Sequence, residues 1–410
     1  MFFIPVTIGD QSTILLDHIV TGIRNSFPKY SRFYALLVII VGGVYPFINK
    51  TWNKNKVATV FSFLKIAGIA ASLMYYLNIG PEWYFADDMG PFLFEKLVIP
   101  VGIIVPAGAI FLAFLVEYGL LELVGVLMQP IMKPVWKTSG RSAIDALASF
   151  VGSYSIGLLI TNRVFKEGKY TIKEASIIAT GFSTVSATFM IIVAKTGGLM
   201  EMWLTYFITT LIITFTVTAI TVRIYPLSSK EERYIVHSRR DEHINDGSRF
   251  KTALEAGIAT TASAPGIGKS IYDNLKDGFK MAMGILPSIM SVGLIGLILV
   301  KFTPLFDFTA YIFYPFTWVL QIPDTFLAAK AVGVGITEMF LPPLLVTQAA
   351  LVTRYVISVV CVSSILFFSA SIPCILSTEI PISIFDILII WLERSILSLA
   401  LAGVVALVLF

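Results

Sequence analysis

The chain has 410 residues, of which 56% are hydrophobic and only 14% charged, and its mean hydropathy is +0.84. A soluble protein needs roughly 25% charged residues to cover its surface, so a cytosolic enzyme and a nucleic-acid binder are both excluded. A net charge of +4 is too small to imply a polyanionic partner, and the composition is that of an all-α polytopic membrane protein.

The opening Met1-Phe2-Phe3-Ile4-Pro5-Val6 is apolar but short, and no basic region precedes it. It reads as the remnant of a longer first helix or an interfacial anchor, not as a signal peptide. Beyond it, stretches close to the ~20 apolar residues a bilayer requires recur at 32–49, 58–78, 95–118, 173–195, 202–225, 280–301, 350–373 and 384–410. Lys and Arg in the short loops set their orientation. Lys50, Lys54 and Lys56 place the first loop in the cytoplasm, and Glu82, Asp87 and Asp88 place the next one outside. Lys133, Lys137 and Arg141, then Arg163, Lys166, Lys169 and Lys173, return the chain to the inside. The polar stretch 227–279 is cytoplasmic by the same rule, a solvated linker or short helix, whereas Arg24, Lys29 and Arg32 run against the pattern.

Two segments are apolar yet too interrupted to cross. Residues 141–166 carry bases at both ends and break at Val151-Gly152-Ser153-Tyr154-Ser155-Ile156-Gly157. Two half-helices of about nine residues, each ~13 Å long, would enter and return to one side. Residues 322–347 break likewise at Gly333 and Gly335 and contain Lys330, Thr337 and Glu338. Phe150-Val151-Gly152 falls on Ala331-Val332-Gly333 at an offset of 181, which also carries Ser183 onto Ser364.

Each half therefore reads as helix, surface helix, hairpin, helix, helix. Three crossings per half make the repeat inverted, and paired broken segments mark the midplane site of secondary transporters. The expected architecture is an inverted-repeat transporter core with two re-entrant helical hairpins. Its divisions are N-terminal membrane helices over 1–94, a first repeat over 95–226, a cytoplasmic linker over 227–279 and a second repeat over 280–410.

Charged residues at bilayer depth cost roughly 2.5–3.5 kcal/mol on insertion scales, so they face partners or cavities. Asp145, Lys330 and Glu338 are those of the hairpins; Asp145 could instead pair with Arg141, and Lys330 with Glu338. Gly152, Ser153, Tyr154 and Ser155 at the first tip, with Gly333, Gly335, Thr337 and Glu338 at the second, are the candidate solute-binding groups. Phe182, Ser183 and Ser364 join them, with Tyr154 or Phe182 offering a ring to stack on. Ser and Thr at these places also serve as ordinary interhelical glue, and Glu393-Arg394 in the last span reads as structural. Ser263-Ala264-Pro265-Gly266-Ile267-Gly268-Lys269-Ser270 ends like a phosphate loop but has Ser first and no strand before it, so no ATPase is expected. No metal site, no resident cofactor and no enzyme constellation is expected either.

Leu121-Glu122-Leu123-Val124-Gly125-Val126-Leu127-Met128-Gln129-Pro130, Phe150 to Gly157 and Gly335-Ile336-Thr337-Glu338-Met339-Phe340-Leu341-Pro342 carry a resemblance. Over most of 95–410 the chain resembles the YjiH-like membrane proteins of the nucleoside-recognition "Gate" family. Gate domains are similar to the core of concentrative nucleoside transporters, and the resemblance implies Na⁺- or H⁺-coupled movement of a nucleoside by elevator-like motion of the hairpins. It also implies that Glu338 is the counterpart of the ribose-binding carboxylate. The chain departs from those transporters where Thr337 stands for Asn, where Lys330 precedes Glu338 by eight residues, and where Ser153-Tyr154-Ser155 replaces Gln-Thr-Glu. The reading is a symporter of the bacterial-type inner membrane whose substrate site lies between the two hairpins. Its partners are a small-molecule substrate, the lipid bilayer and, as a candidate, a second copy of the chain. The alternatives are a carrier of an amino acid or short peptide, or a non-transporting scaffold or regulator.

Overall fold

The computed structural model describes residues 5–8, 11–54, 56–87, 89–116, 120–151, 154–166, 168–235, 249–263, 266–369, 371–376 and 378–410. Strands β1 (Pro5–Ile8) and β2 (Gln11–Ile14) form an antiparallel hairpin. The described part of the opening segment is thus extended rather than a helix remnant, as Pro5 and a run of β-branched residues favour; residues 1–4 lie outside the described set. Among the described residues, all other regular structure is helical apart from an isolated antiparallel bridge between Thr171 and Tyr234.

Helices α1 (Leu15–Ser26), α2 (Pro28–Ile48) and α3 (Lys56–Leu77) come first. A π-helical run, Phe92–Val98, leads into α4 (Ile99–Val116), followed by α5 (Leu120–Trp136), α6 (Ser142–Val151) and α7 (Tyr154–Lys166). Next come α8 (Ile172–Gly181), α9 (Ala187–Thr196) and α10 (Trp203–Thr221). The linker holds α11 (Arg249–Ser263), and α12 (Ile267–Phe302) opens the second half. That half continues with α13 (Leu305–Val319), α14 (Thr325–Val334) and α15 (Leu341–Leu345), and ends with α16 (Leu351–Ser363), α17 (Ser371–Leu376) and α18 (Ile384–Leu409).

Among the described residues, five helical segments are long and apolar enough to cross a membrane: Pro28–Ile48, Ala58–Leu77, Met200–Thr221, Ile267–Phe302 and Ile384–Leu409. Two expected spans are not continuous. Residues 173–195 are divided into α8 and α9, and 350–373 into α16 and α17. In the described part of the linker the short-helix alternative holds: α11 packs along α5, and α12 begins at Ile267, well before the expected span.

The chain forms two compact units that interleave in sequence. The first comprises Met1–Ile110, Thr188–Tyr206 and Tyr272–Ser358; the second comprises Phe111–Ala187, Phe207–Ile271 and Val359–Phe410. In the first unit, α2 and α3 press directly onto α12. A Cβ at Gly42 would collide with the Met283 backbone and one at Gly68 with the Pro287 backbone, a close approach that only small residues allow. Arg32, one of the bases that ran against the charge pattern, is neutralised there by Glu95 at 2.6 Å, which also accepts the Tyr75 hydroxyl at 3.0 Å.

In the second unit, ion pairs tie the 163–173 loop to the 227–279 stretch, and both of these to the segment that leads into and opens α18. Lys173 meets Glu232 at 2.9 Å, Lys230 meets Asp386 at 2.8 Å and Lys166 meets Glu379 at 2.7 Å. Hydrogen bonding to the Lys173 ammonium holds the Glu232 carboxyl below the usual carboxylate range. Capping boxes at Thr171/Glu174 and Ser383/Asp386 start α8 and α18 beside these pairs by satisfying the amides a helix start leaves open.

The glycine contacts are testable by overpacking. Gly68→Leu is expected to destabilise the detergent-solubilised protein by about 2 kcal/mol. Gly284→Ala, where nothing lies within 4 Å of the added carbon, should leave the melting temperature unchanged or raise it, because alanine favours the helix.

Candidate functional site

Both interrupted segments are helical hairpins. In the second unit, α7 folds back on α6 so closely that a Cβ at Gly157 would strike Ser149. The start of α6 and the residues after α7 come together: Ser139 N donates to Glu174 Oε1 at 2.8 Å, and the Tyr170 hydroxyl donates to Asp145. Asp145 is 2% exposed, so its described partner is a buried tyrosine across the hairpin base. In the first unit, α14 and α15 make the second hairpin. Its outer ends are joined by Ala350 N to Asp324 Oδ2 at 3.1 Å and by Thr353 Oγ1 to Pro323 O at 2.5 Å. At ten residues, α6 and α14 are each about 15 Å long, half of what a crossing requires.

The helix after each hairpin is broken, and the two breaks share one backbone device. Thr184 N donates to Phe182 O at 2.8 Å, and Leu366 N donates to Ser364 O at 2.7 Å. This three-residue turn aligns Phe182 with Ser364 and Ser183 with Ile365, one residue out of the register that the hairpin tips suggest. Ile365 takes the middle of the second turn at φ +64°, a conformation disfavoured for a β-branched residue. Hydroxyls compete for the carbonyls at both breaks: Ser183 Oγ to Ile178 O at 3.3 Å, Ser363 Oγ to Val359 O at 2.7 Å and Ser364 Oγ to Cys361 O at 3.1 Å. Such local bonding offers the chain an alternative to continuing a helix. Beyond the second break, Ser371 Oγ donates to Ile365 O at 2.9 Å and accepts from Phe367 N at 2.9 Å. Thr184 Oγ1 and Ser369 Oγ are buried with no hydrogen-bond partner among the described residues.

The second unit thus holds Tyr154, Phe182, Ser183 and Ser364 of the expected site, together with Ser363 and Ser369. The Tyr154 ring meets Phe367 of the second break edge-on at 6.0 Å. Phe182 is 1% exposed, with Trp136 at 5.9 Å and Phe215 at 6.0 Å, so its ring fills the core around the first break. Gly152 and Ser153 lie outside the described residues, and Ser155 is described only as part of α7.

Gly333, Gly335, Thr337 and Glu338 belong to the first unit. A Cβ at Gly333 would collide with Thr309 of α13, so this glycine lets α13 and α14 touch. Gly335 ends α14, Thr337 Oγ1 donates back to Val334 O at 2.8 Å, and Glu338, 6% exposed, accepts from Phe340 N at 3.2 Å. Lys330 pairs with Asp307 at 2.7 Å; the ion pair with Glu338 entertained from sequence is not the one formed.

Arg394, read from sequence as structural, is fully buried and touches the breaks. Its Nη2 donates to Ser363 O at 2.8 Å, and Nη1 donates to Thr218 Oγ1 at 2.9 Å. Thr218 Oγ1 in turn lies 2.9 Å from Gly181 O. Thr210, Thr214, Thr218 and Thr221 form a buried stripe on α10, and the four-residue spacing of the first three was readable as a signal.

Residues 98–200 match the Gate family, described as nucleoside recognition; the match runs from α4 through the first hairpin and first broken helix. An uncharacterised protein of Alkalihalophilus pseudofirmus is 30% identical over 430 aligned residues, covering 100% of this chain and 92% of its own. The chain belongs to the YjiH-like family of Gate-domain membrane proteins. It is accordingly an integral, multi-pass membrane protein. Among solved structures, a CNTnw variant in an outward-facing state is 15% identical with a TM-score of 0.44, covering 96% of each chain. Another, in an intermediate state, is 14% identical with a TM-score of 0.46, covering 95% of this chain and 98% of its own.

In this Gate protein the Asp145–Tyr170 bond is open to a double-mutant cycle. Tyr170→Phe and Asp145→Asn should each lower stability by about 1–3 kcal/mol. The double variant should lose less than their sum by at least about 0.5 kcal/mol, read from melting or denaturant curves; additive losses would show that the two groups act independently.

Proposed function

We propose that the chain is a secondary transporter that takes up a small polar solute, with a nucleoside as the first candidate, driven by a cation gradient. The observation that supports this most is the matched pair of broken helices, each following a hairpin, with the buried hydroxyls of Thr184 and Ser369 left without a described partner. Lipid cannot satisfy polar groups exposed by an unwound helix, so irregular backbone at membrane depth persists only inside protein or along a wet cavity. Broken segments in corresponding positions of two halves are the hallmark of solute-binding cores in secondary carriers. In this reading the hairpins are re-entrant and Glu338 accepts hydrogen bonds from the solute's hydroxyls. The departure at Ser153-Tyr154-Ser155 favours a second reading within the same class, in which the solute is an amino acid or short peptide.

Melting of the purified protein against nucleosides, bases, amino acids and dipeptides separates these readings. A nucleoside is expected to raise the melting temperature saturably; a rise with an amino acid alone would replace the solute class, and no rise with any would remove the transport reading. Glu338→Gln is expected to cut uptake of the stabilising solute ~10- to 100-fold, the loss of one or two charge-assisted hydrogen bonds, at unchanged expression. Full uptake by that variant would reassign Glu338 to a structural role.

A further inference from the structure

We infer that Arg394 is a resident cation: a fixed guanidinium that closes the two helix breaks where other carriers recruit an exchangeable ion. The inference goes beyond the transport reading and is independent of which solute is moved. Arg394 stands ten residues into α18, about 15 Å from its start, and is 0% exposed. A charge held at that depth needs a counter-charge. Yet its partners among the described residues are neutral oxygens: Ser363 O at 2.8 Å, Thr218 Oγ1 at 2.9 Å and Thr214 O at 3.4 Å.

The counter-charge is supplied by the helix ends. Ser363 O is the last carbonyl of α16, which Arg394 meets directly, and Gly181 O, the last carbonyl of α8, lies 2.9 Å from Thr218 Oγ1, whose single proton it shares with Thr214 O at 2.8 Å. Each C-terminus carries about half a negative charge, so two converging on one place sum to about one, which a single guanidinium balances. Half-helix C-termini with unwound carbonyls are the arrangement that binds coupling ions in carriers. Here a side chain tethered to α18 already fills it. The planar fork suits the task better than an ammonium would, because it reaches the carbonyl end and the hydroxyl at once.

Two consequences follow: the breaks keep their shape without sodium, and Na⁺ finds no vacancy between these two ends. The test uses the full-length protein in detergent, melted at constant ionic strength in sodium chloride or choline chloride. Wild type is expected to melt at the same temperature in both salts. Arg394→Gln is expected to melt several degrees lower in choline and to regain part of that loss in sodium. A sodium-specific, saturable stabilisation of wild type would overturn the inference. So would R394Q melting like wild type, or R394Q destabilised with no response to sodium. Should R394Q fail to fold, Arg394→Lys decides: a variant near wild type and indifferent to sodium supports a resident charge, whereas a sodium-responsive or unfolded R394K overturns it.

Discussion

Every backbone amide and carbonyl that leaves a helix at membrane depth must find a partner inside the protein, and the second unit is organised around that demand. Two helices stop half-way, at Gly181 and Ser363, leaving carbonyls with no amide four residues on. The partners are local hydroxyls of Ser183, Ser363 and Ser364, a threonine stripe on α10 and one guanidinium on α18. A polar set of this size within an apolar chain costs insertion energy. Ser371 completes the account by bridging Ile365 and Phe367 across the second break.

The first unit solves a different problem with the opposite residues. Glycines at 42 and 68 carry no side chain, so α2 and α3 reach the backbone of α12 itself. Between helices in lipid, where burying apolar surface brings little gain, such contact is a main source of cohesion. The second hairpin rests on the same principle, with Gly333 admitting Thr309 and Gly296 lying under Leu341.

Sequence displayed the hairpins because their signal is compositional: glycines in an apolar run, with bases at both ends of 141–166. Among the loops that the charge rule placed together, those at 163–173 and 227–279 are tied by the pair Lys173–Glu232. The breaks in 173–195 and 350–373 stayed hidden, since hydropathy averages over four or five residues and small hydroxyl side chains barely lower it. Arg394 was visible but undervalued, because its partners are two helix ends and no acidic residue marks them in the sequence. The β-hairpin at 5–14 was missed because its apolar start outweighed the alternating β-branched residues. Glu338 was legible as a charge inside a broken apolar segment, whereas its burial and its bond to Phe340 N needed the structure.

The two broken helices are not mechanical equals. No residue from 182 to 186 has a positive φ, whereas Ile365 sits at +64°, where a branched side chain stores on the order of 1–3 kcal/mol. The first joint is therefore slack and the second is wound. Two breaks that share one backbone turn thus differ in stored torsion, so any rearrangement that unwinds the second joint releases energy that the first does not hold.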